Sequence, residues 1–142
     1  MVRIILGVIA GFIAWSIVWV GSDQIMMQSM HWYAEHQANF RMAMFNKTAF
    51  EPDGTVLVMN IVRSVVTSLL AGFIAALVAG ESRRSTLWLG VILLLVGIMV
   101  EATAWNYLPI WYHLAFLVLL IPMTILGGKL RRTVPSPVEQ AA

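Results

Sequence analysis

Four apolar runs dominate this sequence, at residues 4–22, 56–79, 86–104 and 109–127. Each is close to or above the roughly 20 helical residues that cross the hydrocarbon core of a bilayer. A chain carrying four such runs has few folds open to it. Lipid offers no hydrogen bonds, so each run must satisfy its own backbone, and a single segment does that as an α-helix. Charge collects in the gaps between the runs. Only 11% of the 142 residues are charged, against about 25% in a typical soluble domain. The expected fold is an all-α integral membrane protein, a single four-transmembrane-helix bundle over residues 1–132 with a short flexible tail at 133–142.

The first run follows Met1-Val2-Arg3. It is long for the apolar part of a signal peptide and lacks a convincing small-x-small cleavage site, so it reads as a retained span. Gly7 and Gly11 form a small-xxx-small pair, continued at the same four-residue step by Trp15 and Trp19. Such pairs let helices approach closely, here against another helix of the same chain.

Residues 23–55 form the one long connection. Met26, Met30, Ala34, Ala38, Met42 and Phe45 recur at helical spacing, with Gln28, His31, Glu35 and Asn39 on another face. This predicts an amphipathic helix over about 25–46, lying on the membrane surface or capping the bundle. Glu51-Pro52-Asp53-Gly54 reads as the turn that re-enters the bilayer.

In the second span, Asn60, Ser64, Thr67 or Ser68, Ala71 and Ala75 make a stripe of polar and small residues suited to helix contacts, with Arg63 at its border. The string Ala-Gly-Phe-Ile-Ala occurs at 10–14 and again at 71–75; it reads as shared small-residue packing, not duplication. A charged turn at 80–85 leads to the third span, aliphatic until Glu101. A tight aromatic turn follows at 105–108. The fourth span opens at Pro109, contains Pro122 and is expected to close at Gly127-Gly128.

Charge gives the orientation. With four spans, Arg3, Arg83, Arg84, Lys129, Arg131 and Arg132 fall on one side, while the long connection offers only Arg41 and Lys47. The positive-inside rule then puts both termini in the cytoplasm. The protein is expected in a bacterial-type inner membrane, with the lipid bilayer as its first partner and the 25–46 helix in its first outer loop.

Under that topology Asp23, Asn60, Arg63, Glu101, Asn106 and His113 share the outer half of the bundle, beside an aromatic belt that includes Trp105. Ionisable groups inside a span are expensive and mark a functional site by default. Arg63 is expected to pair with Glu101, with Asp23 as its second choice. This cluster is a structural ion pair that fixes helix register, an outward-facing pocket for a ligand or ion, or a proton relay.

His113 reads as an interfacial histidine bonded to a neighbouring carbonyl. A second intramembrane histidine for haem is missing. Met26, Met30 and His31 suit soft Cu(I), but a methionine stripe serves equally as an adaptable apolar face, and no cofactor is expected. The absence of cysteine removes thiol chemistry and disulfides. The basic residues are few and lie mostly beside span ends, which argues against nucleic acid. No catalytic motif stands out, so an enzyme is not favoured. The first expectation is a structural or accessory component that associates with itself or with a larger membrane complex through Gly7, Gly11, Gly72 and the second-span stripe. The others are a small transporter or channel subunit, and an outer-face binder of lipid, quinone or metal.

Overall fold

The computed structural model describes residues 1–131, to which the 133–142 tail and Arg132 do not belong. Five helices run in chain order: α1 (Val2–Ser29), α2 (His31–Asn46), α3 (Gly54–Ala79), α4 (Arg84–Ala104) and α5 (Ile110–Leu130). Among the described residues there is no strand. α1, α3, α4 and α5 are long and apolar enough to cross a membrane. Their outward faces carry large aliphatic side chains such as Ile9, Ile13, Ile17, Leu95, Leu114 and Val118, as helices facing lipid do.

The four long helices close into a ring in which α3 packs on α1 and α5, and α4 closes it against α5 and α1. Small residues set the close contacts. A Cβ on Gly7 would lie 2.6 Å from the Ala75 carbonyl oxygen, and one on Gly11 would lie 2.9 Å from the Ala71 oxygen. The two copies of Ala-Gly-Phe-Ile-Ala therefore meet one another across the α1–α3 contact. On the other side of α3, a Cβ on Gly72 would sit 1.9 Å from the Thr124 oxygen, and one on Gly127 2.0 Å from the Leu69 oxygen. Val8, Ala71, Ala75, Leu89 and Leu93 form the apolar core between α1, α3 and α4.

Several boundaries differ from the expectation, and the helix expected over about 25–46 begins only at His31. The first helix does not end near residue 22 but continues to Ser29, and the chain turns at Met30 (φ −128°, ψ 103°) into α2. Nothing in the intervening sequence breaks a helix, and Asp23 finds partners inside the bundle. At 1.5 Å per residue α1 is about 42 Å long, well beyond a hydrocarbon core of about 30 Å. The fourth span does not close at Gly127-Gly128 either. α5 runs to Leu130, and both glycines serve close packing, Gly128 against Thr86 and the Ser82 carbonyl. Finally, Pro109 is the residue before α5 rather than within its first turn.

The face that α2 turns to the bundle also differs. Tyr33 and Ala43 are buried, with His36, Gln37, Phe40 and Met44 half-buried beside them. The expected apolar face points away, with Met42 and Phe45 exposed. The polar groups beneath α2 decide this, because Tyr33 and Gln37 have hydrogen bonds to make there.

The opposite end of the bundle is basic. Arg131 Nη1 donates to the Ala76 carbonyl oxygen at 2.8 Å, near the C-terminus of α3, where a cation suits the helix dipole. Glu81 accepts from the backbone N–H groups of Arg83, Arg84 and Ser85 at 2.6–3.0 Å and so caps the start of α4. Partial burial works against the Glu81 carboxylate, but these donors and the Ser85 hydroxyl outweigh it and hold the group below the ordinary carboxylate range.

Candidate functional site

At the end covered by α2, the ring opens into a cavity of about 340 Å³. Residues spaced three or four apart bring one face of each helix to it: Trp15, Trp19 and Asp23 of α1, Leu57, Asn60 and Arg63 of α3, Gly97, Glu101 and Ala104 of α4, and Tyr112 and Phe116 of α5. α2 lines the mouth with His36, Gln37 and Phe40 and leaves it partly open.

Arg63 pairs with Asp23, not with Glu101. Its Nη1 donates to Asp23 Oδ1 at 2.8 Å. The sequence puts Asp23 at the outer end of its span and makes it the second choice for Arg63, after Glu101. With α1 extending to Ser29, Asp23 instead lies well inside the helix and level with Arg63. The guanidinium also sits 4.0 Å from the centroid of the Trp19 ring, and Trp19 stacks on Trp15 with ring centroids 5.3 Å apart. A desolvated guanidinium over an indole gains a cation–π attraction of about 2 kcal/mol.

Tyr33 of α2, with no exposed surface, joins this pair. Its hydroxyl donates to Asp23 Oδ1 at 2.6 Å and accepts from Arg63 Nη1 at 3.1 Å and Gln37 Nε2 at 3.0 Å. Asn60 Oδ1 lies 3.3 Å from the same hydroxyl. Burial, reinforced by the bond to Asp23, pushes the phenol above its ordinary value, so it stays a neutral hydroxyl that both donates and accepts.

Glu101 pairs with His113. The carboxyl oxygen Oε2 meets His113 Nδ1, while His113 Nε2 faces the Leu108 carbonyl oxygen at 3.2 Å. A carbonyl oxygen only accepts, so Nε2 carries a hydrogen. Nδ1 and Glu101 then share one proton, and the pair is neutral overall wherever that proton sits. His113 is fully buried and Glu101 is 5% exposed. The Trp105 ring stacks on the imidazole with centroids 4.7 Å apart. The expected bond from His113 to a carbonyl is present; the bond to Glu101 was not foreseen. The four-residue step from Pro109 to His113 carried no hint of it, since Glu101 lies across the aromatic turn.

His36 adds a third polar group. The backbone N–H of Asp53 donates to His36 Nε2 at 3.0 Å. Burial lowers the affinity of this imidazole for a second proton, against the raising influence of the Asp53 carboxylate. The neutral ring therefore carries its hydrogen on Nδ1.

Of the residues singled out in the sequence, Asp23, Asn60, Arg63 and Glu101 line the cavity. His113 and Trp105 stand behind Glu101. Asn106 does not join them; it is exposed and lies with Met44, Lys47 and Tyr107 in a separate surface depression. Met26 turns its sulfur toward Arg63 Nη1, 3.9 Å away, whereas His31 pairs with Glu35 at 3.1 Å on the exposed side of α2. Met26 and His31 thus engage different partners. Among the described residues no three His, Asp or Glu side chains gather as a metal-binding group. Tyr33, His36 and Gln37 were missed. Their spacing with Phe40 places them on one helical face, but that face looks less apolar than its neighbour.

The chain matches no protein-family model, no curated protein and no solved structure.

Proposed function

We propose that this membrane protein binds a small molecule in the cavity beneath α2, in an outward-facing site with both termini in the cytoplasm. The observation that carries the reading is the convergence of two charge-bearing pairs, Arg63–Asp23 and Glu101–His113, on one open space of about 340 Å³ with aromatic walls. A pair whose only task was to fix helix register would gain by being packed solid, since open space beside buried charge forfeits contacts. Ligand pockets combine such apolar walls with a few placed polar groups, and this volume falls in their usual range of about 300–1,000 Å³. The concentration of Arg3, Arg83, Arg84, Lys129 and Arg131 at the other end supports the outward orientation. A scaffold role has less behind it, because Gly7, Gly11 and Gly72 are already in contact with helices of this same chain.

Native mass spectrometry of the protein, extracted in mild detergent from its own membrane, tests this. Val96 of α4 also lines the cavity; the expected result is a monomer or homo-oligomer carrying one reproducible small mass, lost when Val96→Trp fills that space. A bare chain, or one released from a larger complex, would favour an accessory role instead.

A further inference from the structure

A second opening lies at the basic end of the bundle, apart from the cavity beneath α2. It is a groove of about 610 Å³ between α1 and α4, whose walls include Ile5, Val8 and Ile9 on one side and Arg84, Trp88 and Ile92 on the other. The packing explains its position. Here α1 leans on α3, where a Cβ on Gly7 would lie 2.8 Å from the Ala79 Cβ, and α4 meets α1 at Gly11, where one would lie 2.5 Å from Leu89 Cδ2. Between that contact and the helix starts, the two helices leave the groove open. Val8 lies buried at its base, whereas Ile5, Ile9 and Trp88 are exposed along it.

The apolar walls alone select nothing, because lipid tails are as apolar as the side chains they would touch. Selectivity has to come from the rim, and Arg84 supplies it. Arg84 is exposed and is the first residue of α4, where a cation opposes the positive end of the helix dipole. Among the described residues no carboxylate pairs with its guanidinium. The acid nearest in sequence, Glu81, is turned to the backbone N–H groups of Arg83, Arg84 and Ser85. With Arg3 at the start of α1 and Arg83 beside Arg84, this end stays net positive. Trp88, one turn along from Arg84, carries an amphipathic ring suited to the level of lipid headgroups. In the orientation proposed above, the groove opens to the cytoplasmic leaflet, which carries anionic lipid, and basic pockets between spans on that side hold anionic headgroups.

We propose that the groove holds one anionic phospholipid, with its phosphate on Arg84 and one acyl chain along Ile5, Ile9 and Ile92. The rise from Arg84 to Ile92 is about 12 Å, most of one leaflet's share of a hydrocarbon core of about 30 Å. This site stands whether or not the cavity beneath α2 holds a ligand.

The test is a lipid titration of the delipidated full chain in detergent, read by native mass spectrometry. Phosphatidylglycerol is compared with phosphatidylcholine of identical acyl chains, on the wild-type chain, Arg84→Gln, Arg83→Gln, Ile5→Trp and Val96→Trp. Thermal unfolding verifies that each variant folds. A basic residue near anionic lipid contributes about 1 kcal/mol, a roughly 5-fold preference. The wild-type chain is expected to bind one phosphatidylglycerol about 5-fold more tightly than phosphatidylcholine. Arg84→Gln should abolish that preference and leave phosphatidylcholine unchanged. Arg83→Gln, which removes the same charge from the neighbouring depression beside Lys129, should keep it. Ile5→Trp should weaken both lipids by filling the groove, and Val96→Trp, which fills the other cavity, should alter neither. Equal affinity of the wild-type chain for both lipids, or equal losses from Arg84→Gln and Arg83→Gln, would overturn the proposal. So would lipid binding that survives Ile5→Trp; if that variant instead shifts the chain from dimer to monomer, the occupant is a second copy of this chain.

Discussion

At the scale of single residues, Asp23 and Glu101 have exchanged the roles that depth alone suggested. Arg63 is held by Asp23 and roofed by Tyr33, while Glu101 belongs to His113. Removing one member of a buried ion pair strands the other charge, which costs about 3 kcal/mol when the departing partner is partly exposed, as Asp23 is. Asp23→Asn should therefore destabilise the protein by about 3 kcal/mol, and Asp23→Leu combined with Arg63→Leu should recover most of that loss. Glu101→Gln should cost less, since it leaves Arg63 paired and the new amide can still bond His113. Thermal unfolding in detergent distinguishes the two; a larger loss for Glu101→Gln would restore the original Arg63–Glu101 pairing. The sequence showed which polar residues were out of place in lipid. Their partners were hidden because the choice depended on where α1 ends, and no residue between Gly21 and Met30 announces that point.

At the scale of elements, glycine is a contact surface, as expected of Gly7, Gly11 and Gly72 but not of Gly127-Gly128, where the sequence suggests a helix end. Gly127 and Gly72 lie so close to the facing backbone that no side chain fits. Gly72→Ala or Gly127→Ala should cost about 3 kcal/mol through overpacking. A Cβ on Gly21 would meet nothing within 4 Å, so Gly21→Ala should stabilise α1 by up to about 1 kcal/mol. Similar melting temperatures for all three variants would argue against the α3–α5 contact. The start of α4 makes a pH prediction. Glu81 is held below the ordinary carboxylate range, so its stabilisation is present above that range and is lost as pH falls through the folded-state value. The wild-type chain should lose about 1 kcal/mol more than Glu81→Gln on acidification through that window. Parallel acid-unfolding curves would contradict the cap. The four spans themselves were legible because length and apolarity define them. The inward face of α2 was not, because it is selected by Asp23, Asn60 and Arg63 on other helices.

At the scale of the whole molecule, the asymmetry between a polar, open end and a basic, tightly packed end organises everything else. The sequence already placed the polar residues in one half, because four antiparallel spans fix their relative depth. It could not reveal the cavity, which arises from how five helices leave space among Trp15, Gly97, Glu101 and Phe116. Its absence of cysteine makes the direct test clean. Single cysteines, Asn60→Cys in the cavity wall and Arg83→Cys at the basic end, are challenged in intact cells with a membrane-impermeant maleimide. A cavity open to the outer side predicts that Asn60→Cys is labelled in intact cells, while Arg83→Cys reacts only after permeabilisation. Labelling of Arg83→Cys in intact cells, or an Asn60→Cys that stays unmodified even after permeabilisation, would contradict it.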